Sequence, residues 1–492
     1  MDMNREQFGI SGISVFVPPY RVSLQDWCGW TGNAWDKISA VVGHSFRMAG
    51  PEDSVYTMAA EAVLKLILDY QVDPARIGYL ALATESSSDN AVGAVIVRGL
   101  VDQALAVRGL PPLSRYCEVP EFKQACIAGL YGVKGAMRYL AFDGEGRQAI
   151  VVSADIAEYD RGSTGEPTQG AGAVAMLVDR DPQLLALDLH TSGSSSSYRI
   201  ADFRKPFLRF NGQTPGANGR LRDFPVFNGK YSTACYLDEV VCAFDALFLR
   251  RDGKRAAFLR SLTAAFMHRP YHHMPVSAWT MAYLFAMGAD GGEEHEELNG
   301  YCTAAGVELK QLLAEMALRP SLVDKVISGH PPEEPYPLTA QVMKAFRKSP
   351  RYKEVVEGKL RLGAAAMMHM GNLYTAALPA WMAAGLEEAQ SQPTELNGHK
   401  LLLVGYGSGD AAETVVAKVM PNWRAAAAKI GLAKAQGNAV TVGQDDYARL
   451  HAAQWPQEAQ IPQRPGFTIE RVGKSHDAKF YDLGLEYYRY RA

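Results

Sequence analysis

Residues 77–90 read IGYLALATESSSDN. The first eight are a short, nearly unbroken apolar run, which fits a strand buried on both faces rather than a helix. The run stops at Thr84, and the acid Glu85 follows at once. Upstream, residues 54–70 place Met58, Ala59, Ala62, Val63, Leu66 and Ile67 at helical spacing. Downstream, 91–107 and 126–140 carry helical patterns. QAIVVSADI at 148–156 and GAVAMLV at 172–178 are further buried strands, and 10–16 alternates before Pro18-Pro19. Strands alternating with helices need crossover connections, so the pattern predicts a mostly parallel sheet covered by helices.

The second half repeats the theme. Residues 184–190, 401–404 and 414–419 read as strands, the last two as a pair, and 264–268 lead into a Pro-broken turn. Residues 233–249, 307–318 and 374–389 read as helices. Two α/β halves of similar size point to a duplication, 1–180 and 181–420. TSGSSSS at 191–197 reads as a surface loop or turn series near their junction. Residues 421–492 are polar, rich in Gln, Pro and Tyr, and read as an extension wrapping the body.

The chain has 492 residues, 48% hydrophobic and 21% charged, which excludes global disorder. A net charge of −3 disfavours nucleic-acid binding through bulk charge. The six cysteines form no C-x-x-C pair, so neither a disulfide scaffold nor a zinc ribbon is expected. MDMNREQFGI lacks the apolar segment of a secretory signal, and a reducing, cytoplasmic setting is inferred. Residues 364–385 are apolar and long enough to span a bilayer. They contain His369, Asn372 and Pro379, however, and a buried helix of a soluble core is the better reading.

Five places hold residue types that can do chemistry. Cys126, in FKQACIAGLYG, follows an extended run and opens a helix, where partial positive charge favours a thiolate. It reads either as a nucleophile or as a packed core cysteine. Glu85 stands where a parallel strand ends, the usual side for ligands in such sheets. A carboxyl withdrawn from water there suits proton transfer near neutral pH; a solvated loop acid is the alternative. His268, in AAFMHRPYHHMP, suits acid/base or hydrogen-bonding work. Pro270 breaks the helix that would align it with His272 on a metal, so no metal site is expected. Asn372 reads as a helix cap, and GYGSGDAA at 405–412 as a tight turn or as a source of backbone N–H groups near Ser408. The latter is not a P-loop.

Taken together the pieces resemble the 3-hydroxy-3-methylglutaryl-CoA synthase family of the thiolase superfamily, over roughly residues 8–420. The carriers of the likeness, in chain order, are ATES around Glu85, QAC around Cys126, and SADIAEY ending at Tyr159 with PTQGAGAVAML after it. ADFRKPF with Asp202, FPVFNGKYS, MHRPY with His268, GNLYT with Asn372 and Tyr374, and GYGSG with Gly407 and Ser408 follow. The resemblance implies a duplicated thiolase-like α-β-α-β-α layered fold with a C-terminal extension, and generally a homodimer. It also implies an acyl transfer that needs neither redox cofactor nor metal. Cys126 would take an acetyl group from a thioester. Glu85 would serve as acid and base in joining it to a β-ketoacyl thioester, and His268 and Asn372 would orient that second thioester. The acetyl carrier would be coenzyme A or an acyl carrier protein, as in polyketide β-branching. Arg204, Lys205 and Arg209 would meet the anionic carrier, or form only a solvated basic turn. Two positions depart from the family pattern. Ile127-Ala128-Gly129 stand where Tyr-Gly-Gly is usual, and His273 stands where a lysine is frequent near the coenzyme phosphates.

Overall fold

The computed structural model describes residues 7–205, 224–319, 322, 329, 334–457, 465–477 and 479–492. The strands that build the body are β1 Phe8–Phe16, β2 Tyr20–Ser23, β3 Ser45–Met48, β4 Ile77–Ala83, β5 Glu121–Phe122 and β6 Gln148–Ala157. They continue with β7 Gly170–Arg180, β8 Leu185–Ser196, β9 Ala264–Met267, β10 Lys400–Gly407 and β11 Ala411–Val419. Nine of these form one sheet in the order β5-β4-β6-β7-β1-β8-β11-β10-β9.

Read outward from its middle, the sheet states the same sentence twice. β1-β7-β6-β4 on one side and β8-β11-β10-β9 on the other each pair antiparallel, antiparallel, then parallel. The copies meet through a short antiparallel contact, Gly9 with Ala186 and Ile10 with Leu185. The fold is therefore the duplicated, thiolase-like one, and its sheet is mixed rather than mostly parallel. The reason is local: β10 turns straight back into β11, and β6 returns as β7 through a loop, and a direct return gives antiparallel neighbours.

Each apolar strand is buried on both faces. On β6, Ala149 and Val151 pack with helix Ala128–Phe142, while Ile150 and Val152 pack on the opposite face with helices Val55–Tyr70 and Gly93–Val107. The cluster holding helix Ala128–Phe142 also holds helix Ala377–Ser391 and strands β10 and β11. That shared middle, with outer helices beyond each half-sheet, makes the α-β-α-β-α layering. Each fully buried Val, Leu or Ile contributes about 1.5–3 kcal/mol.

Serine content misled the reading of 191–197. Residues 191–196 belong to β8, in register with β11 from Gly193–Thr414 to Ser196–Ala411. The small side chains are needed because helix Lys230–Phe248 lies directly on them. A Cβ on Gly193 would sit 2.2 Å from the Ala243 carbonyl oxygen. The hydroxyls also pair with buried acids: Ser194 donates to Glu413 Oε2 at 2.7 Å, and Ser197 donates to Glu239.

The apolar stretch 364–385 is broken into a short helix Ala364–Met367, a link through Gly371, and the turn and helix beginning at Tyr374. Among the described residues no helix is long and apolar enough to cross a membrane. Beyond β11 the chain is more regular than its composition predicts. Strand Val440–Thr441 pairs parallel with β2, and helix Gln444–His451 follows. Strands Gly466–Val472 and Glu486–Arg491 form a ribbon whose Phe467 and Tyr490 pack on helices Val55–Tyr70 and Gly93–Val107.

Candidate active site

Two matching turns make the site. Residues Ala125–Ile127 form a tight 3-10 turn that opens helix Ala128–Phe142, and residues Tyr374–Ala376 do the same for helix Ala377–Ser391. Both turns begin at a residue in left-handed conformation, Ala125 at φ 44° and Tyr374 at φ 46°. Such a backbone costs about 1–2 kcal/mol at a non-glycine residue, so the surrounding packing holds both turns in place. The turns occupy the same place in the two copies of the fold, and they touch. Gly129 permits this: a Cβ there would lie 2.4 Å from Ser153 Oγ and 3.0 Å from the Thr375 carbonyl oxygen.

Around these turns stand the ends of the equivalent strands. Thr84 and Glu85 follow β4, and His268 follows β9. The Cys126 thiol is buried and donates to Glu85 Oε2 at 2.8 Å. Loss of water and the nearby Asp155 charge push the Glu85 carboxyl up to about 8, against the pull of the Cys126 hydrogen bond and the Lys205 charge. Burial, with the Glu85 charge beside it, pushes the Cys126 thiol up as well, so the shared proton rests on sulfur.

His268 is 2% exposed, and burial pushes its imidazole down to about 3. It is therefore neutral across the working range, which favours hydrogen bonding over acid/base work. Its Nδ1 is buried without a hydrogen-bond partner, and its ring stacks on Tyr406 at 6.2 Å. Asn372 Oδ1 accepts the Tyr374 N–H at 2.9 Å, so it does cap the turn, and the residue also lines the reaction cavity. Tyr159, 4% exposed, meets Phe203 and Tyr374 edge-on. Asp202 Oδ2 accepts from the Tyr406 hydroxyl at 2.8 Å, and its Oδ1 is buried without a partner. Gly407 ends β10, and Ser408 follows it into the cavity wall.

Cys126, Tyr159, Asp202, His268, Asn372, Tyr374 and Ser408 all face this one cavity of about 30 Å³. Phe227 also borders an outer, mostly apolar cavity of about 390 Å³, whose wall includes Val42, Lys230, Leu237 and Tyr271. Arg204 and Lys205 are exposed, Arg209 lies outside the described residues, and His273 lines neither cavity. His273 instead starts helix His273–Asp290, with Nδ1 at 3.1 Å from Ser277 Oγ. Among the described residues no three His, Cys, Asp or Glu side chains gather as a metal site would require.

The profile described as hydroxymethylglutaryl-coenzyme A synthase N terminal matches residues 4–183. A hydroxymethylglutaryl-CoA synthase of Haloferax volcanii is 27% identical over 412 residues, covering 81% of this chain and 80% of the relative. One of Enterococcus faecalis is 34% identical over 290 residues, covering 59% of this chain and 66% of the relative. The solved structure of MvaS in complex with 3-hydroxy-3-methylglutaryl coenzyme A superposes with a TM-score of 0.74, at 25% identity and 99% of each chain. The chain belongs to the hydroxymethylglutaryl-CoA synthase family.

Membership makes it an acyl-transferring enzyme of the thiolase superfamily, and one departure from the family pattern has a visible consequence. Ile127, where this synthase lacks the usual tyrosine, is 1% exposed and packs behind Cys126 against Gly405 and Gly407 of β10. It lies outside the cavity lining.

Sequence reasoning missed Asp155, which organises the synthase site. Its Oδ1 accepts from Thr84 Oγ1, the Glu85 and Ser86 N–H groups and Ser86 Oγ at 2.6–2.9 Å. Its Oδ2 accepts from the Thr375 N–H at 3.0 Å and from the Thr375 hydroxyl. One carboxylate thus joins the Glu85 loop of the first half to the turn of the second. A charged residue inside the apolar run QAIVVSADI was the available signal, since buried charge survives only when satisfied. Asp155→Asn turns an amide donor toward these donors and is expected to lower kcat about 100-fold. The Asp155 charge raises the Glu85 carboxyl, so removing it moves the Glu85 limb of the pH–rate profile to lower pH. A limb that stays put would mean that the charge does not reach Glu85.

Proposed function

We propose that this synthase condenses an acetyl unit, held on Cys126, with a β-ketoacyl thioester and then hydrolyses the adduct to a 3-hydroxy-3-carboxymethyl acyl thioester. The observation that carries this reading is the 2.8 Å contact between the Cys126 thiol and a Glu85 carboxyl raised to about 8. One group poised near neutral pH can take the proton from sulfur and later serve the carbon chemistry.

In the first step sulfur attacks the acetyl carbonyl, Glu85 takes the thiol proton, and the carrier leaves as its thiol. Glu85, again ionised, then removes a proton from the acetyl methyl group. The resulting carbon nucleophile adds to the β-keto carbon of the second thioester, and Glu85 returns its proton to the new alkoxide. Water finally cleaves the bond to Cys126, freeing a carboxylate and restoring the thiol. The sequence balances with two thioesters and one water, so the proposal includes no redox cofactor and no metal. Neutral His268 and the Asn372 amide orient the second thioester. Backbone N–H groups at Cys126 and near Ser408 receive the oxyanions.

The acyl groups arrive on a phosphopantetheine thiol, whose arm has the outer cavity for its path. The carrier is coenzyme A or an acyl carrier protein, with Arg204 and Lys205 as the cations that meet its anionic groups. A homodimer in the cytoplasm is part of the same proposal; the six cysteines, all free, agree with a reducing compartment. The test is intact mass after incubation with acetyl-CoA and, separately, with an acetyl-loaded carrier protein. An increment of about 42 Da on Cys126 from at least one donor is expected, and the faster donor identifies the carrier. No increment from either would overturn the acetyl-donor assignment.

A further inference from the structure

Helix Gln444–His451, in the extension beyond β11, lies against the loop 158–169 that joins β6 to β7. That loop carries Tyr159 near its start and ends beside Asn372, whose N–H donates to the Thr168 carbonyl at 2.9 Å. Tyr447 is fully buried beneath it. Its hydroxyl donates to Glu166 Oε1 at 2.6 Å and accepts from Gln169 Nε2 at 3.0 Å. Gln169 passes the contact on, because its Oε1 accepts the Tyr159 N–H at 3.1 Å. Four residues after Tyr447, on the same helix face, His451 Nε2 lies 2.8 Å from the Tyr159 carbonyl oxygen. A carbonyl only accepts, so the ring donates from Nε2. Both backbone groups of Tyr159 are therefore held from this one helix, directly or through a single amide.

We propose that helix Gln444–His451 is a positioning element of the active site, with Tyr447 and His451 setting the backbone of Tyr159 and so the place of its ring in the reaction cavity. The inference rests on the proposed function above, extended to Tyr159 as a substrate contact because its ring lines the same cavity as Cys126, His268 and Asn372. Neither Tyr447 nor His451 lines the cavity, so both act through Tyr159. Tyr447 also stacks on Trp30 at 5.9 Å, a contact that phenylalanine keeps. Tyr447→Phe therefore isolates the hydroxyl from the packing.

The test compares full-length Tyr447→Phe, Tyr159→Phe and the double variant in steady-state condensation, with thermal unfolding alongside. Tyr447→Phe is expected to lower kcat about tenfold with KM changed less than about twofold. In the double variant the losses should fall well short of multiplying, because the two residues act in series. A purely structural role would leave kcat alone or give losses that multiply, and either result overturns the proposal. If Tyr159→Phe is impaired and Tyr447→Phe is not, only this inference fails. If Tyr159→Phe is itself unimpaired, the reading beneath it fails too. Should Tyr447→Phe not fold, His451→Phe, which removes the other hold, carries the same comparison.

Discussion

Cys126→Ala should abolish the acetyl adduct and lower turnover by at least about 10⁴-fold, because every later step acts on the acyl-cysteine. No neighbouring group can substitute. Of the other cavity-facing residues none carries a thiol, and the described cysteines elsewhere lie outside the cavity lining. The variant should fold normally. It removes one sulfur from a small cavity and leaves the Asp155 hydrogen bonds on both sides of the seam intact. Intact mass and turnover together give the check. An adduct that survives the substitution would move the nucleophile elsewhere.

Glu85→Gln should separate two halves of the reaction. Condensation is expected to fall about 10³- to 10⁴-fold, the upper range for loss of a positioned base. Acetyl-Cys126 should still form, more slowly. A thiol is a far stronger acid than an acetyl methyl group, so carbon–hydrogen cleavage depends far more on the carboxylate. Wild-type condensation should rise with pH up to about 8, since only the ionised carboxyl accepts a proton and the free-enzyme group titrates there. The variant should lose this limb.

Stability should respond in the opposite sense. A carboxyl whose folded value lies above its unfolded one binds more protons when folded. Wild-type stability therefore falls as pH rises from the unfolded carboxyl range through about 8. Glu85→Gln, uncharged throughout, should be the more heat-resistant protein at pH 8–9. Quenched-flow acylation, steady-state condensation and thermal melts resolve these expectations. Equal loss of acylation and condensation would give Glu85 a role in sulfur chemistry alone.

Much of this was legible in the chain because the apolar runs are short and bounded. IGYLALAT and QAIVVSADI can be little but buried strands, and acids or turns placed just after them fall at one edge of a sheet. Strand direction was less legible. Periodicity reports burial and not orientation, so the antiparallel returns β6–β7 and β10–β11 had to be seen. The serine tract was misread because composition resembles a loop wherever small side chains make room for a helix. Asp155 was missed because its role lies in partners from two distant segments, 84–86 and Thr375, and no local spacing encodes those. The hold of Tyr447 on Tyr159 spans a still longer gap in sequence.

The paired turns at Ala125 and Tyr374 say something about descent. Had the two copies stayed alike, each turn would have presented the same side chain to the seam. They have instead specialised. In one copy the residue after the left-handed position is Cys126, the proposed nucleophile. In the other it is Thr375, which grips Asp155 and also meets the Ala83 carbonyl oxygen at 3.0 Å. That division of labour suits a reaction between unlike partners, one fixed covalently to its own side of the seam and the other left free to depart.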